Sequence, residues 1–311
     1  MFRYKLHQPL PQTLRNDIDP ILVYYQSQQH QSLLVTNDTI DQLLTTHGIP
    51  FDICEASSWL TQHHRTTDEI DYSLIIGPCG FESRNMTLEI AAFLNEHNIT
   101  TMRGGCFKPR TSPYSFQGHG KKAFEWLIEA KECYNLNIIS EITHSDQLLE
   151  ASYVFDVFQI GSRNMSSFDL IRSVAQQGKP ILLKRGFSAS YQEWLQAAEY
   201  ALLYGASNVV LCERGIRSFE STTRFTFDIS AIPAIKTMSS LSIIADPSHA
   251  CGRTDFIPAI SQAALAAGAD GIMLEIHPTP KTAQSDAAQA LTLEQASQLI
   301  HTLQKQGTIC Q

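Results

Sequence analysis

Between Arg103 and Gly120 the chain reads RGGCFKPRTSPYSFQGHG. Lys108 and Arg110 flank one proline, and Thr111, Ser112 and Ser115 surround a second. Rigid turn residues alternating with cations and hydroxyls suit a loop that holds an oxygen-rich anion such as a phosphate. Taken alone, an ordinary basic surface turn is an equally good reading. Further cations, Arg163, Lys184, Arg185, Arg214, Arg217 and Arg253, each follow a short apolar run. Clustered without anions they would repel one another, so an anionic occupant accounts for them best. Arg185, Arg217 and Arg253 equally suit structural pairs with Glu213, Glu220 and Asp255. That leaves room for two phosphate positions, one near the opening stretch and one near Arg163, Lys184 and Arg214.

A second set is of metal-ligand type. Cys79, His249, Glu275 and Asp286 combine soft and hard donors suited to a divalent cation. No local spacing joins them, and each has a plainer alternative: a packed thiol for Cys79, a surface carboxylate for Asp286. Asp246 and His277 compete for the role and rank below, since His277 follows Glu275 by two and suits a supporting position. Cys106, Cys212 and Cys251 read comfortably as packed thiols.

The elements that must position these residues are regular from Ser73 onward. Strand-length apolar runs recur as SLIIGPC (73–79), TTMRGGC (100–106), NIISEIT (137–143), VFQIGSR (157–163), PILLKRG (180–186), NVVLCERG (208–215), SIIADPSH (242–249) and GIMLEIH (271–277). Segments with helical spacing, such as FDLIRSVAQQG, separate them. Continuous apolar strands alternating with helices imply a parallel sheet covered on both faces. Eight such units predict an α/β fold, a (β/α)8 TIM barrel over 73–311, with an open doubly wound sheet as the alternative. In a barrel the chemistry collects at the C-terminal strand ends. Cys79, Arg103, Glu141, Arg163, Lys184, Arg214, His249 and Glu275 would end strands one to eight in turn. Closure would also make strands one, seven and eight neighbours, which is the physical argument for the metal set.

Residues 1–72 read differently, as a small α+β extension. They hold a single glycine, Gly48, and four Lys/Arg against nine Asp/Glu, so most of the net charge of −8 lies outside the cationic rim. The runs ILVYY (21–25) and SLLVT (32–36) suggest a hairpin, NDTIDQLLTTHG (37–48) a capped helix, PFDI (50–53) a further strand and SSWLTQHHRTTDE (57–69) a helix or linker. His63-His64 is a weak metal hint, better read as an exposed polar pair. The acidic balance argues against a nucleic-acid or membrane-surface partner, and no run approaches the ~18 apolar residues of a membrane span. Seven cysteines without framework spacing fit reduced thiols, so a cytoplasmic location is expected.

The blocks GPCGFES (77–83), RGGCFKPRTSPYSFQG (103–118), QIGSRNM (159–165), LLKRG (182–186), LCERGIRSFE (211–220), ADPSHACGR (245–253) and LEIHPTP with SDAAQAL (274–291) resemble those of 3-deoxy-D-arabino-heptulosonate 7-phosphate (DAHP) synthases of the type I-beta branch. The resemblance spans roughly residues 73–305. It implies a metal-dependent condensation of phosphoenolpyruvate with erythrose 4-phosphate at the head of the shikimate pathway. Cys79, His249, Glu275 and Asp286 would hold a divalent ion (Mn2+, Fe2+, Co2+ or Zn2+). Arg103, Glu141, Arg163, Lys184 and Arg214 would surround phosphoenolpyruvate, and Lys108, Arg110, Thr111 and Ser112 would hold the sugar phosphate. Lys108, Lys184, Glu141 and His249 would be the catalytic groups, and the protein a homotetramer or dimer. Gly80-Phe81, Cys106, Cys251 and Ala287-Ala288 depart from the usual blocks. The extension resembles a reduced ferredoxin-like regulatory unit, leaving open whether it binds an aromatic amino acid or only supports oligomer packing. Two rivals remain: a 3-deoxy-octulosonate 8-phosphate synthase, whose loop lacks K-P-R-T-S-P, and a catalytically silent phosphometabolite-binding barrel, which would have no need of Cys79 beside His249.

Overall fold

A computed structural model of the chain describes residues 2–6, 23–27, 30–36, 44–54, 61, 64, 69–110 and 112–305. Eight parallel strands close into a barrel: β5 (Leu74–Gly77), β6 (Thr101–Arg103), β7 (Asn137–Glu141), β8 (Val157–Ile160), β9 (Ile181–Lys184), β10 (Val209–Glu213), β11 (Ile243–Ala245) and β12 (Gly271–Glu275). Pairing of Ile272 with Leu74 and of Glu275 with Gly77 joins last strand to first. The barrel expectation holds, and the open sheet is excluded.

The strands read as unbroken apolar runs because both faces are buried. Ile75, Ile139, Val157, Leu182, Val210, Ile244 and Met273 form an inner cluster that fills the barrel. Their alternate neighbours, such as Leu74, Ile76, Ile138, Phe158, Leu183 and Leu211, belong to the layer between strands and helices. Burying each such side chain stabilises the fold by about 1.5–3 kcal/mol before chain entropy is subtracted. Side chains alternate every residue, so the inward parity is inherited by Glu141, Gln159, Lys184, Arg214, Asp246 and Glu275 at the strand ends. Apolar inward positions fill the barrel, and polar ones cap it.

Local sequence explains where the helices begin. Ser83 caps the helix Arg84–Glu96 by accepting from the Met86 amide at 3.2 Å. Ser190 and Glu193 form a reciprocal capping box before Tyr191–Leu203. The short helix Pro247–Cys251 starts at Asp246, whose side chain accepts from the His249 amide, and ends at Gly252 with φ +68°. That cap matters to the site, because it holds Asp246 and His249 in one rigid turn.

Before the barrel, four strands form an antiparallel sheet in the order β2 (Val23–Ser27), β3 (His30–Thr36), β1 (Phe2–Leu6), β4 (Phe51–Cys54). β2 and β3 pair as a hairpin, and β1, which the sequence reading did not anticipate, lies between β3 and β4. Within 37–48 only residues from 44 onward are described, with one helical turn ending at Gly48. Most of 57–69, including His63, lies outside the described residues. Thr61 ties this region to the barrel: its amide donates to buried Glu199 at 3.0 Å and its carbonyl accepts from Ser239 and Ser240. No helix among the described residues is long and apolar enough to cross a membrane.

Candidate active site

At the C-terminal end of the barrel lies a cavity of about 290 Å³. Arg103, Lys108, Arg110, Ser112, Glu141, Arg163, Lys184, Arg214, His249 and Asp286 all line it. Thr111 lies outside the described residues. Strand ends deliver Arg103, Glu141, Lys184 and Glu275 directly. Four expected strand ends are not strand ends, Arg214 among them, one residue beyond β10. Cys79 lies two residues beyond β5, Arg163 sits on the 3-10 turn Ser162–Asn164 after β8, and His249 on the helix Pro247–Cys251 after β11. The chain must leave the strand direction there, because a straight strand would carry these side chains above the cavity instead of over it.

The metal-type residues converge. The Cys79 thiol and carboxylate oxygens of Glu275 and Asp286 lie within 4.8 Å of one another. The thiol donates to Asp286 Oδ2 at 3.1 Å, and His249 Nε2 is 3.2 Å from Glu275 Oε1. His249 Nδ1 faces Asp246 Oδ2 at 2.7 Å, which assigns the ring proton to Nδ1 and leaves the Nε2 lone pair for a ligand. Burial pushes the Cys79 thiol up to about 12, with the Glu275 charge adding to it and Lys108 opposing. Burial lowers His249, consistent with a neutral ring. For Glu275 and Asp286 burial acts upward, but at the acidic pH where they titrate nearby cations outweigh it: protonated His249 and Arg103 for Glu275, protonated His249 and Arg224 for Asp286. Both are therefore held below the usual carboxylate range. A thiol, an imidazole with a free Nε2 and two ionised carboxylates in contact fit a divalent cation with mixed ligands.

Supporting groups fix this set. Arg103 Nη1 donates to Glu275 Oε1 at 2.7 Å and to the Pro78 carbonyl at 2.8 Å. Gln289 Nε2 donates to Glu275 Oε2 at 2.5 Å. Arg224 Nη1 reaches both Gln289 Oε1 at 3.0 Å and Asp286 Oδ1 at 3.1 Å. Asp286 itself adopts φ +51°, a left-handed turn that aspartate tolerates. His277 and Asp246 are not in the converging ligand group. His277 Nδ1 accepts from the Thr279 amide at 3.0 Å, and Asp246 supports His249 from behind.

Lys108 and Arg110 part company. Lys108 turns inward, donating to the Cys79 thiol and carbonyl, each at 2.9 Å. It passes over Gly105, where an added Cβ would meet Lys108 Cδ at 2.6 Å. Arg110 and Ser112 stay at the cavity wall. Gly161 plays the same permissive role for Glu141, since a Cβ there would lie 2.1 Å from Glu141 Oε1. Burial raises Glu141, against the pull of Lys108, Lys184, Arg103 and Arg163.

The remaining cations divide by partner. Arg185 pairs with Glu213 at 2.9 Å and with Asp228 at 2.8 Å, and Arg253 with Asp255 at 2.6 Å, so both are structural. The expected Arg217–Glu220 pair does not form. Glu220 instead accepts from the Ser221 and Thr222 amides of its own turn, and Arg217 lies over the Phe187 ring at 5.2 Å. Arg163 and Arg214 have no carboxylate partner among the described residues. Phe187 and Phe225 stack 5.0 Å apart, and Arg214 lies 4.9 and 4.3 Å from their centroids. Aromatic faces thus hold the arginines whose charge is left for a ligand. Gln159, Phe187, Arg224, Phe225 and Gln289 were absent from the sequence reading. Only Gln159 carried a signal, its inward parity two residues after Val157.

Phe81, Cys106 and Cys251 among the departures from the usual blocks are absorbed by packing, whereas Ala287 and Ala288 are exposed. Phe81 is fully buried against Gly104, where a Cβ would fall 2.4 Å from its ring. Cys106 and Cys251 are buried too, and neither belongs to the metal-type group.

A sequence model of the DAHP synthetase I family matches residues 60–311. Phospho-2-dehydro-3-deoxyheptonate aldolase of Thermotoga maritima is 45% identical over 234 residues, covering 75% of this chain and 69% of that protein. A 2-dehydro-3-deoxyphosphooctonate aldolase of Desulfosudis oleivorans is 30% identical, covering 74% and 88%. Among solved structures, the Thermotoga maritima DAHP synthase superposes with a TM-score of 0.79 at 34% identity, over 99% of this chain and 98% of that one. Its truncated form gives 0.71 at 40% identity, over 76% and 88%.

Proposed function

This chain belongs to the DAHP synthetase I family, whose reaction is the aldol-type condensation of the shikimate pathway, and we propose that it joins phosphoenolpyruvate to erythrose 4-phosphate with the aid of a bound divalent cation. The observation that carries the reading is a single cavity with two faces. One face presents His249 and Asp286, with the Cys79 thiol on Asp286 and Glu275 beside His249; the other presents Arg163, Lys184 and Arg214, two of them without carboxylate partners among the described residues.

Arg163, Lys184 and Arg214 receive the phosphate and carboxylate of phosphoenolpyruvate, with Arg103 beneath them. Arg110 and Ser112, with Thr111 between them in sequence, receive the phosphate and hydroxyls of the sugar. A divalent metal held by the four ligands supplies Lewis acidity toward the aldehyde or a water. C3 of phosphoenolpyruvate attacks the aldehyde carbon, and water adds to C2 as positive charge develops there. Lys108, 2.9 Å from the Cys79 thiol, is placed to protonate the new alkoxide. Glu141, whose proton affinity burial raises, is placed to take a proton from the attacking water. Breaking the C2–O bond of the resulting phosphohemiketal releases inorganic phosphate, whose charge Arg163, Lys184 and Arg214 balance.

The four-stranded sheet supports the division into a 1–72 extension and a 73–311 barrel. Its order and antiparallel pairings are those of a ferredoxin-like sheet. The deciding assay is phosphate release from phosphoenolpyruvate with erythrose 4-phosphate or arabinose 5-phosphate, with Mn2+ or with chelator. Turnover only with the four-carbon sugar and metal is expected. Turnover with the five-carbon sugar would move the protein to the octulosonate reaction.

A further inference from the structure

Asp246 belongs to neither substrate nor metal, yet it touches the machinery of both. Its Oδ2 accepts from Lys184 Nζ at 2.5 Å and from His249 Nδ1 at 2.7 Å. Its Oδ1 accepts from the His249 amide at 3.0 Å, closing the turn that starts the helix Pro247–Cys251. The carboxylate is fully buried. Tied at both oxygens, it cannot rotate to satisfy its two side-chain donors separately.

We propose that Asp246 is a positioning residue that couples metal binding at His249 to phosphoenolpyruvate binding at Lys184. The proposal rests on the functional reading above. Two donors compete for one oxygen. A cation on His249 Nε2 draws electron density from the ring and makes Nδ1–H the stronger donor. Asp246 then binds His249 more tightly and Lys184 less, and the ammonium is freed toward the phosphate. In the opposite direction, a phosphate that takes Lys184 leaves the oxygen to His249 alone. The ring becomes the better metal ligand, as carboxylate-backed histidines are. Both routes have the same sign, so each ligand tightens the other by one common factor.

The test uses full-length protein without the sugar phosphate, so that no turnover occurs. Calorimetric titration gives the phosphoenolpyruvate affinity of chelator-treated and Mn2+-loaded protein, and the Mn2+ affinity with and without phosphoenolpyruvate. Wild type should show the same gain in both directions, at least about fivefold, the lower end of common coupling factors. Asp246→Asn keeps the shape but removes the charge, and its factor should fall to within about twofold of one. A wild-type factor of one, or an Asp246→Asn factor equal to wild type, overturns the coupling. Wild type that binds no phosphoenolpyruvate under either condition overturns the functional reading instead. If Asp246→Asn does not fold, the Nδ1–H resonance of His249 in metal-free wild type decides. It should move downfield when phosphoenolpyruvate is added, and an unmoved resonance refutes the coupling.

Discussion

Arg185 and Arg214 are one residue type at equal burial, one residue beyond adjacent strands, and they should respond to the same mutation in opposite ways. Arg185 is neutralised by Glu213 and Asp228 and donates through Nε to the Ala189 carbonyl at 3.0 Å. Arg185→Met leaves Glu213 buried with only the Gly215 amide as partner. Breaking such a buried pair costs about 3–5 kcal/mol. At about 2–4 °C per kcal/mol for a domain near this size, the melting point should fall by roughly 6–20 °C. Among the described residues Arg214 has no carboxylate partner, and its Nη1 is buried without an acceptor. Arg214→Met removes that orphan donor, regaining about 1–3 kcal/mol. It also loses two ring contacts at about 0.5–2 kcal/mol each. The midpoints of these ranges nearly cancel, leaving a change under about 1 kcal/mol, while their extremes run from about 2 kcal/mol gained to about 3 lost. Activity should show the reverse. Loss of a charge-assisted contact to phosphate is worth about 1.5–3 kcal/mol, or roughly 10- to 150-fold in kcat/KM. Urea denaturation and phosphate-release kinetics on both variants check this. An Arg214→Met protein destabilised by about 3 kcal/mol or more, with kcat/KM within about twofold of wild type, would show Arg214 to be a structural cation and refute the reasoning.

Cys79→Ala should fold normally, since the thiol is a small part of the barrel cap, but lose tight Mn2+ or Zn2+ binding and metal-dependent turnover; near-normal metal titration would remove Cys79 from the ligand set. Gly105→Ala puts a methyl 2.6 Å from Lys108 Cδ and should lower kcat by about 10- to 100-fold while circular dichroism stays unchanged; unaltered kcat would mean that Lys108 reaches the site by another path. Glu141 has a raised folded-state affinity for its proton, so its contribution to stability is full below its ordinary value of 4.5 and is lost as pH rises through the raised value. Glu141→Gln should therefore gain stability relative to wild type as pH rises from about 4 to 7 in urea titrations, while losing activity, and a variant that loses stability relative to wild type over that range would contradict the assignment.

How the sequence and the fold share the explanation is clearest at the strand ends. Eight apolar runs followed by charged or ligand-type residues already point to a parallel sheet with a chemically loaded rim, and the β12–β5 pairing decides for a barrel over an open doubly wound sheet. The resemblance carried by these blocks, K-P-R-T-S-P among them, also implies the reaction class. What they leave open is partnership. The Arg185–Glu213 pair offered by the sequence forms, but only the packing adds Asp228 to it, turns Arg217 from Glu220 to the Phe187 ring, and lays Arg214 on Phe187 and Phe225. Arg224 and Gln289 are anonymous in sequence, since their role comes from contacts across 62, 65 and 14 residues of chain. Asp246 lies between the two cases. Its inward parity and its place before Pro247 are legible, but that one of its oxygens serves both His249 and Lys184 depends on β9 and β11 both flanking β10 in the closed ring. Sequence sets which groups a strand can present to the barrel's mouth. Which of them touch is decided by closure, because that contact is made between strands and not along one.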